Sequence, residues 1–216
     1  LAVMDGTWIT TMRTGAVAAI TVNKLKAKKT DSYSFIGLGN TARATLLCLN
    51  TLLNRIDFNV NILAYKNQHN DFINRFSDYR NIRFFAYHDT EEMIKHSDVI
   101  ISCVTVANSF FAAADAYKAG VLIVPVHTKG FQNCDLEFDK IFCDDINHVK
   151  GFKYFNEYKY LKEMSEILND VTFMREETDR ILAYNIGIAA QDIFFASKVF
   201  DIIEKRDSKL NDKFWV

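Results

Sequence analysis

A histidine and a lysine two positions apart, His127 and Lys129, follow the apolar run VLIVPV at residues 121–126. If that run is a strand, both side chains stand outside its carboxyl end, where an open α/β sheet binds its ligands. An imidazole titrating near neutrality suits proton transfer at His127. A desolvated ammonium at Lys129 suits proton donation or carboxylate binding. A second set of residues suits phosphates. Gly37, Gly39 and Ala42 in YSFIGLGNTARA make the G-x-G-x-x-A form of a dinucleotide fingerprint. The first glycine permits a tight turn, the second lets backbone amides approach a pyrophosphate, and the small Ala42 lets a helix pack close to the strand. The phosphates would then lie on the free N–H groups at the start of that helix. The next apolar run ends Ala64-Tyr65-Lys66-Asn67, with no carboxylate for the ribose hydroxyls. Lys66 there suits a 2′-phosphate, so the expected cofactor is NAD or NADP, with Lys66 favouring NADP. Thr105, just past the run DVIISCV, is a further candidate for cofactor contact.

These residues need a scaffold, and the hydrophobic pattern supplies one. A helix is expected over residues 7–27, strands over 33–36, 59–65, 82–87, 98–104, 121–126 and 140–143, and helices between them at 41–53, 71–79, 90–96 and 109–119. Such alternation implies βαβ units and a parallel sheet, and places the fingerprint after the first strand. The expected fold is therefore α/β and Rossmann-like: doubly wound, mostly parallel, with flanking helices that belong to an incomplete second domain. Beyond Gly151 the pattern reads as helical, over 152–168 and 176–204. The expected organisation is a connecting segment at 1–28, a dinucleotide-binding domain at 29–150, and C-terminal helices at 151–216 that return to the second domain.

The chain as a whole narrows the class. With 49% hydrophobic residues over 216 positions and a formal net charge of −1, it can bury a substantial core. The balanced charge gives no reason to expect nucleic acid or an anionic membrane as partner. The four cysteines, Cys48, Cys103, Cys134 and Cys143, lack metal-ligand spacing and read as reduced thiols of a cytoplasmic protein. No metal site is expected. The chain opens at Leu1 inside an apolar segment without an initiator methionine, which suggests a missing N-terminal part.

Several segments, in one order along the chain, resemble the ornithine cyclodeaminase and mu-crystallin family. Asp5-Gly6-Thr7 through Met12-Arg13-Thr14-Gly15-Ala16 is similar to its D-G-x-x-I-T-x-x-R-T-A-A segment, and IGLGNTARA to its I-G-x-G-x-Q-A-R fingerprint. Ser97-Asp98-Val99-Ile100-Ile101 resembles its A-D-I-V strand, and Asn185-Ile186-Gly187 with Asp192 its closing S-V-G…E-D helix. The resemblance implies that Arg13 binds a substrate carboxylate near the nicotinamide and that Asn40 and Thr41 hold the pyrophosphate. It places Lys66 where NAD-using members have aspartate, Thr105 on the threonine after the fourth strand, and Val126 on the nicotinamide side. Asn185 and Ile186 fall on the Ser-Val pair that closes over cofactor and substrate, and Asn133 falls where lysine is common. Lys129 falls on the aspartate that exchanges protons in the cyclodeaminases, and a cation there suits a substrate with another acidic group.

The function implied is nicotinamide-dependent conversion of a small amino acid, such as L-ornithine to L-proline and ammonia. One alternative is an NADPH-dependent reductase of cyclic imines or an amino acid dehydrogenase. Another is a non-catalytic protein that binds NADPH or a small ligand. A homodimer is the expected assembly.

Overall fold

Short apolar runs that recur along a chain have one economical fate, a sheet covered on both faces. The computed structural model describes residues 2–105, 110–127, 131 and 134–206, and it builds that sheet from eight strands. They are β1 (Ser32–Ile36), β2 (Phe58–Leu63), β3 (Ile82–Tyr87), β4 (Val99–Ser102), β5 (Leu122–Pro125), β6 (Lys140–Cys143), β7 (Leu161–Glu163) and β8 (Ile181–Tyr184). Their spatial order is β3-β2-β1-β4-β5-β8-β6-β7, and every strand pairing is parallel. Parallel strands buried on both faces read as continuous apolar runs, which is how β4, β5 and β8 are written.

Alternate residues feed two separate cores. Val99 and Ile101, Leu122 and Val124, and Ile181 and Ala183 face one cluster together with Ala18, Val22 and Leu25. Ile100, Ile123, Leu182 and Tyr184 face the other, with Met93, Ile94, Tyr117 and Phe131. Each fully buried aliphatic side chain contributes about 1.5–3 kcal/mol relative to exposure, so the three-layer arrangement is what the strand composition specifies.

On the first face α1 (Gly6–Leu25) crosses α2 (Asn40–Leu52) closely. A β-carbon added to Gly15 would stand 2.6 Å from Ala44 and Thr45, so only glycine permits this approach. Asp5 starts α1 as its N-cap, accepting from the Thr7 N–H at 2.9 Å. The chain continues through α3 (Gln68–Arg75), α4 (Thr90–Lys95), α5 (Ile146–Val149) and α6 (Met164–Leu168), and α7 (Ala189–Arg206) packs back against α1. Among the described residues no helix is long and apolar enough to cross a membrane.

Three helices expected from the sequence are replaced in whole or in part. The described part of 109–119 contains only a 3-10 turn at Ala114–Ala116. Alanine's helix preference is worth tenths of a kcal/mol per residue and yields to the burial of Ala116 and Tyr117. The expected helix at 152–168 is a 3-10 turn (Phe155–Glu157), then β7 and α6. Of the long helix expected at 176–204 only the second half forms, as α7 from Ala189, while the first half holds β8, which inserts between β5 and β6, so the sheet continues past residue 150.

Candidate functional site

The order β2-β1-β4 places a topological switch between β1 and β4, since the chain leaves β1 toward one side of the sheet and returns on the other. The loop leaving β1 there is held tightly. Gly37 has φ +85°, and a β-carbon on it would meet the Cys103 and Val104 backbone at 3.0 Å. Gly39 differs, with open space around its Cα. It is the N-cap of α2 and provides no side-chain cap. Aspartates close the starts of α1, α4 and α5, whereas the first N–H groups of α2 lack a side-chain acceptor. A helix start of that kind, flanked by open space, fits an anion. Asn40 is exposed and accepts from Arg43 Nη1 at 3.2 Å. Thr41 spends its carbonyl on the Thr45 hydroxyl within the helix.

At the end of β2, Lys66 and Asn67 both take left-handed conformations, φ 44° and 64°. Lys66 is exposed, its Nζ 5.1 Å from the Tyr65 ring centroid. Thr105 lies exposed beyond β4, and Val126 is partly buried beyond β5, its N–H donating to the Ser102 carbonyl at 3.0 Å. Next to it, His127 Nε2 is 2.6 Å from the Ser102 hydroxyl, with its ring against Phe111 and Phe131. Lys129 and Asn133 lie outside the described residues.

A second constellation gathers at the ends of β6 and β8, around Arg13 of α1. Arg13 is 12% exposed, and its Nε donates to Asp192 Oδ1 at 2.8 Å. Thr10 donates to the same oxygen, and Gln191 lies 3.5 Å from Nη1. The guanidinium rests directly on Gly187, which has φ +97°. Asn185 is 1% exposed. Its backbone N–H bonds the Pro125 carbonyl and its side-chain amide donates to Asp144. Its buried Oδ1 has no hydrogen-bond partner among the described residues, an orphan acceptor that suits a ligand donor. Ile186 packs partly buried into the second core.

Asp144, Ser102 and Gly187 were not singled out for roles by sequence reasoning. The signal for Asp144 was present: an aspartate directly after the run KIFC stands at the ligand edge of a parallel sheet. Burial pushes its pKa up, while the Gly187 N–H, the Asn185 amide and nearby Arg13 act in the opposite direction.

Asp135 belongs elsewhere. It is 1% exposed and accepts from Tyr158 at 2.5 Å and Tyr184 at 2.8 Å, tying the segment before β6 to the sheet. Burial raises its pKa above the usual carboxylate value despite both hydroxyls. A pKa raised by folding gives stability that is complete below the unfolded value and lost as pH rises through the folded one. Asp135→Asn should remove that loss, because the amide can accept from one tyrosine and donate to the other. Urea titrations from acid to neutral pH should show the wild type falling relative to the variant as pH rises. A constant difference would contradict this.

The nodulation efficiency protein NfeD of Rhizobium meliloti is 23% identical over 213 residues, covering 94% of this chain and 65% of that protein. The N-((2S)-2-amino-2-carboxyethyl)-L-glutamate dehydrogenase of Staphylococcus aureus (strain NCTC 8325 / PS 47) is 25% identical, covering 96% of this chain and 65% of that protein. This chain therefore spans just under two thirds of either relative. The structure of Thermococcus litoralis Δ1-pyrroline-2-carboxylate reductase, solved with NADH and L-proline, shares the fold at a TM-score of 0.83 and 21% identity, over 95% of this chain and 68% of that one. A family model, "Ornithine cyclodeaminase/mu-crystallin family", matches residues 1–207. The chain belongs to the ornithine cyclodeaminase/mu-crystallin family.

Proposed function

We propose that this chain binds a nicotinamide dinucleotide across the carboxyl edge of its sheet and serves hydride transfer at the nitrogen-bearing carbon of a small amino acid or its cyclic imine. The observation that carries this reading is the uncapped, glycine-flanked start of α2 at the switch point. Gly37 and Gly39 would admit the pyrophosphate, with Asn40, Thr41 and Thr105 around it, while Val126 and the orphan Oδ1 of Asn185 suit the nicotinamide end. Asn133 is a further proposed cofactor contact. When bound, the cofactor supplies or accepts the hydride.

The chain's own residues bind and orient the substrate. Arg13 holds a carboxylate with the guanidinium edge that Asp192 leaves over, a planar match that lysine cannot reproduce. Ile186 covers the substrate. His127, oriented by Ser102, or Lys129 holds the proton that the nitrogen gains or loses. The dehydrogenase and reductase named among the similar proteins support this reading. A second copy of the chain is the proposed partner, supported by Ile193, Phe194 and Ile202 exposed on α7 and an apolar groove of about 530 Å³ between Trp8, Val199 and Ile203.

The test gives the whole protein Δ1-pyrroline-2-carboxylate with NADPH, and separately L-ornithine with catalytic NAD or NADP. Stoichiometric NADPH consumption with proline formed is the expected result. Proline and ammonia in excess over cofactor would instead establish a cyclodeaminase cycle. Dinucleotide binding without turnover would make it a binding protein, and no dinucleotide binding would overturn the reading.

Cofactor choice gives a further prediction. Lys66 is exposed at the end of β2, so Lys66→Asp removes a cation from the 2′-phosphate position and adds an acceptor for ribose hydroxyls. NADP affinity relative to NAD should fall on the order of tenfold to a hundredfold, measured by titrating each dinucleotide. An unchanged ratio would place the 2′ position away from Lys66.

A further inference from the structure

The carboxyl end of β6 carries an aspartate that hydride transfer itself does not use. Asp144 divides its two oxygens between donors of one turn. Oδ2 accepts from the Gly187 N–H at 2.6 Å, and Oδ1 accepts from Asn185 Nδ2 at 3.1 Å. That turn leaves β8 and forms the surface beneath Arg13: a β-carbon on Gly187 would stand 2.1 Å from Arg13 Nη1 and 2.9 Å from Cζ and Nη2. On its other side the guanidinium is turned by Asp192, which takes the Nε–H at 2.8 Å. The height of the guanidinium is thus set by the 185–187 turn, and its rotation by α7.

We propose that Asp144 is a positioning residue: by clamping Gly187 and Asn185 it fixes the height at which Arg13 presents its remaining donors to a substrate carboxylate. The carboxylate-binding part rests on the function proposed above, while the clamp on Arg13 does not. A guanidinium holds a carboxylate with two parallel bonds only when both N–H groups are aligned with both oxygens. A displaced turn would leave Arg13 charged but misaimed, and a displacement approaching 1 Å costs on the order of a hundredfold.

Two variants separate this role from simple support of the fold. Asp144→Ala removes both acceptors. Asp144→Asn keeps one acceptor for the Gly187 N–H, the bond that holds the turn beneath Arg13. Asp144→Ala should raise the KM for Δ1-pyrroline-2-carboxylate on the order of tenfold or more, and Asp144→Asn should restore most of it. The Arg13 Nε–Hε NMR resonance, assigned by its absence in Arg13→Lys, reports on the clamp without turnover. It should shift and exchange faster with solvent in Asp144→Ala and return toward the wild-type position in Asp144→Asn. If the resonance responds this way in a protein that never turns over the imine, the clamp stands and the catalytic reading fails. A resonance unmoved in Asp144→Ala overturns the proposal, as does a kcat loss with KM unchanged in a protein that turns over.

Discussion

Arg175→Ala is expected to destabilise the protein by about 3–5 kcal/mol, because one partly buried guanidinium serves carbonyls from three parts of the chain. Its Nη1 donates to the Leu25 carbonyl at 2.6 Å, in the last turn of α1, where helix carbonyls lack partners. Nη2 donates to the Gly120 carbonyl at 2.9 Å, in the turn before β5, and also to the Asp179 carbonyl just before β8. Nε reaches the Glu176 carbonyl at 3.2 Å. Each charge-assisted bond contributes about 1.5–3 kcal/mol in isolation. The sum is not reached, since water entering the gap satisfies part of what alanine exposes. Arg175→Lys should recover less than half, because an ammonium cannot spread its donors over carbonyls that lie in different directions. Urea denaturation at neutral pH, with the slope unchanged, measures both. A loss below about 1 kcal/mol for the alanine variant would show that the three segments hold together without this side chain.

Arg175 also marks where the sequence stops being informative. Strands β1 to β6 were legible because each is a short segment rich in apolar and aromatic residues, separated from the next by a stretch long enough for a crossover. The fingerprint was legible because Gly37 and Gly39 answer a local backbone demand, one a positive φ and the other room above a helix start. Strand β8 was not. Its four residues, Ile181–Tyr184, lie in a stretch whose composition suits a helix, and a short buried strand has no period of its own. What makes it a strand is the gap between β5 and β6, filled by pairing with residues far earlier in the chain. The site divides the same way. Asn40, Thr41 and Lys66 sit on local elements next to β1 and β2, so position along the chain is enough to propose them. The setting of Arg13 depends on Asp192, Gly187 and Asp144, which lie far along the sequence and meet it only through the packing of α1 against α7 and the inserted β8.

Gly187→Ala should therefore be the most damaging small substitution at the site, lowering kcat/KM on the order of a hundredfold on the reading that Arg13 binds the substrate carboxylate. Two costs coincide at this position. The backbone, at φ +97°, is in a region that side chains avoid, a strain of about 1–3 kcal/mol. The added methyl would also occupy the place of the guanidinium, 2.1 Å from Arg13 Nη1. The turn cannot retreat freely, because the Gly187 N–H is bonded to Asp144. Nor can Arg13 slide along its own plane without stretching its 2.8 Å bond to Asp192. Arg13 is the softer partner, so the methyl should stay and the guanidinium should lift away from its seat. Far-UV circular dichroism should be unchanged, and dinucleotide affinity should fall much less than substrate affinity. The decisive comparison is a double-mutant cycle with Arg13→Lys. If Gly187 acts through the guanidinium, adding Gly187→Ala to Arg13→Lys should cost little more than the lysine variant alone. If the two losses simply add, Gly187 supports the site by another route, and the seat beneath Arg13 is not what its missing side chain provides.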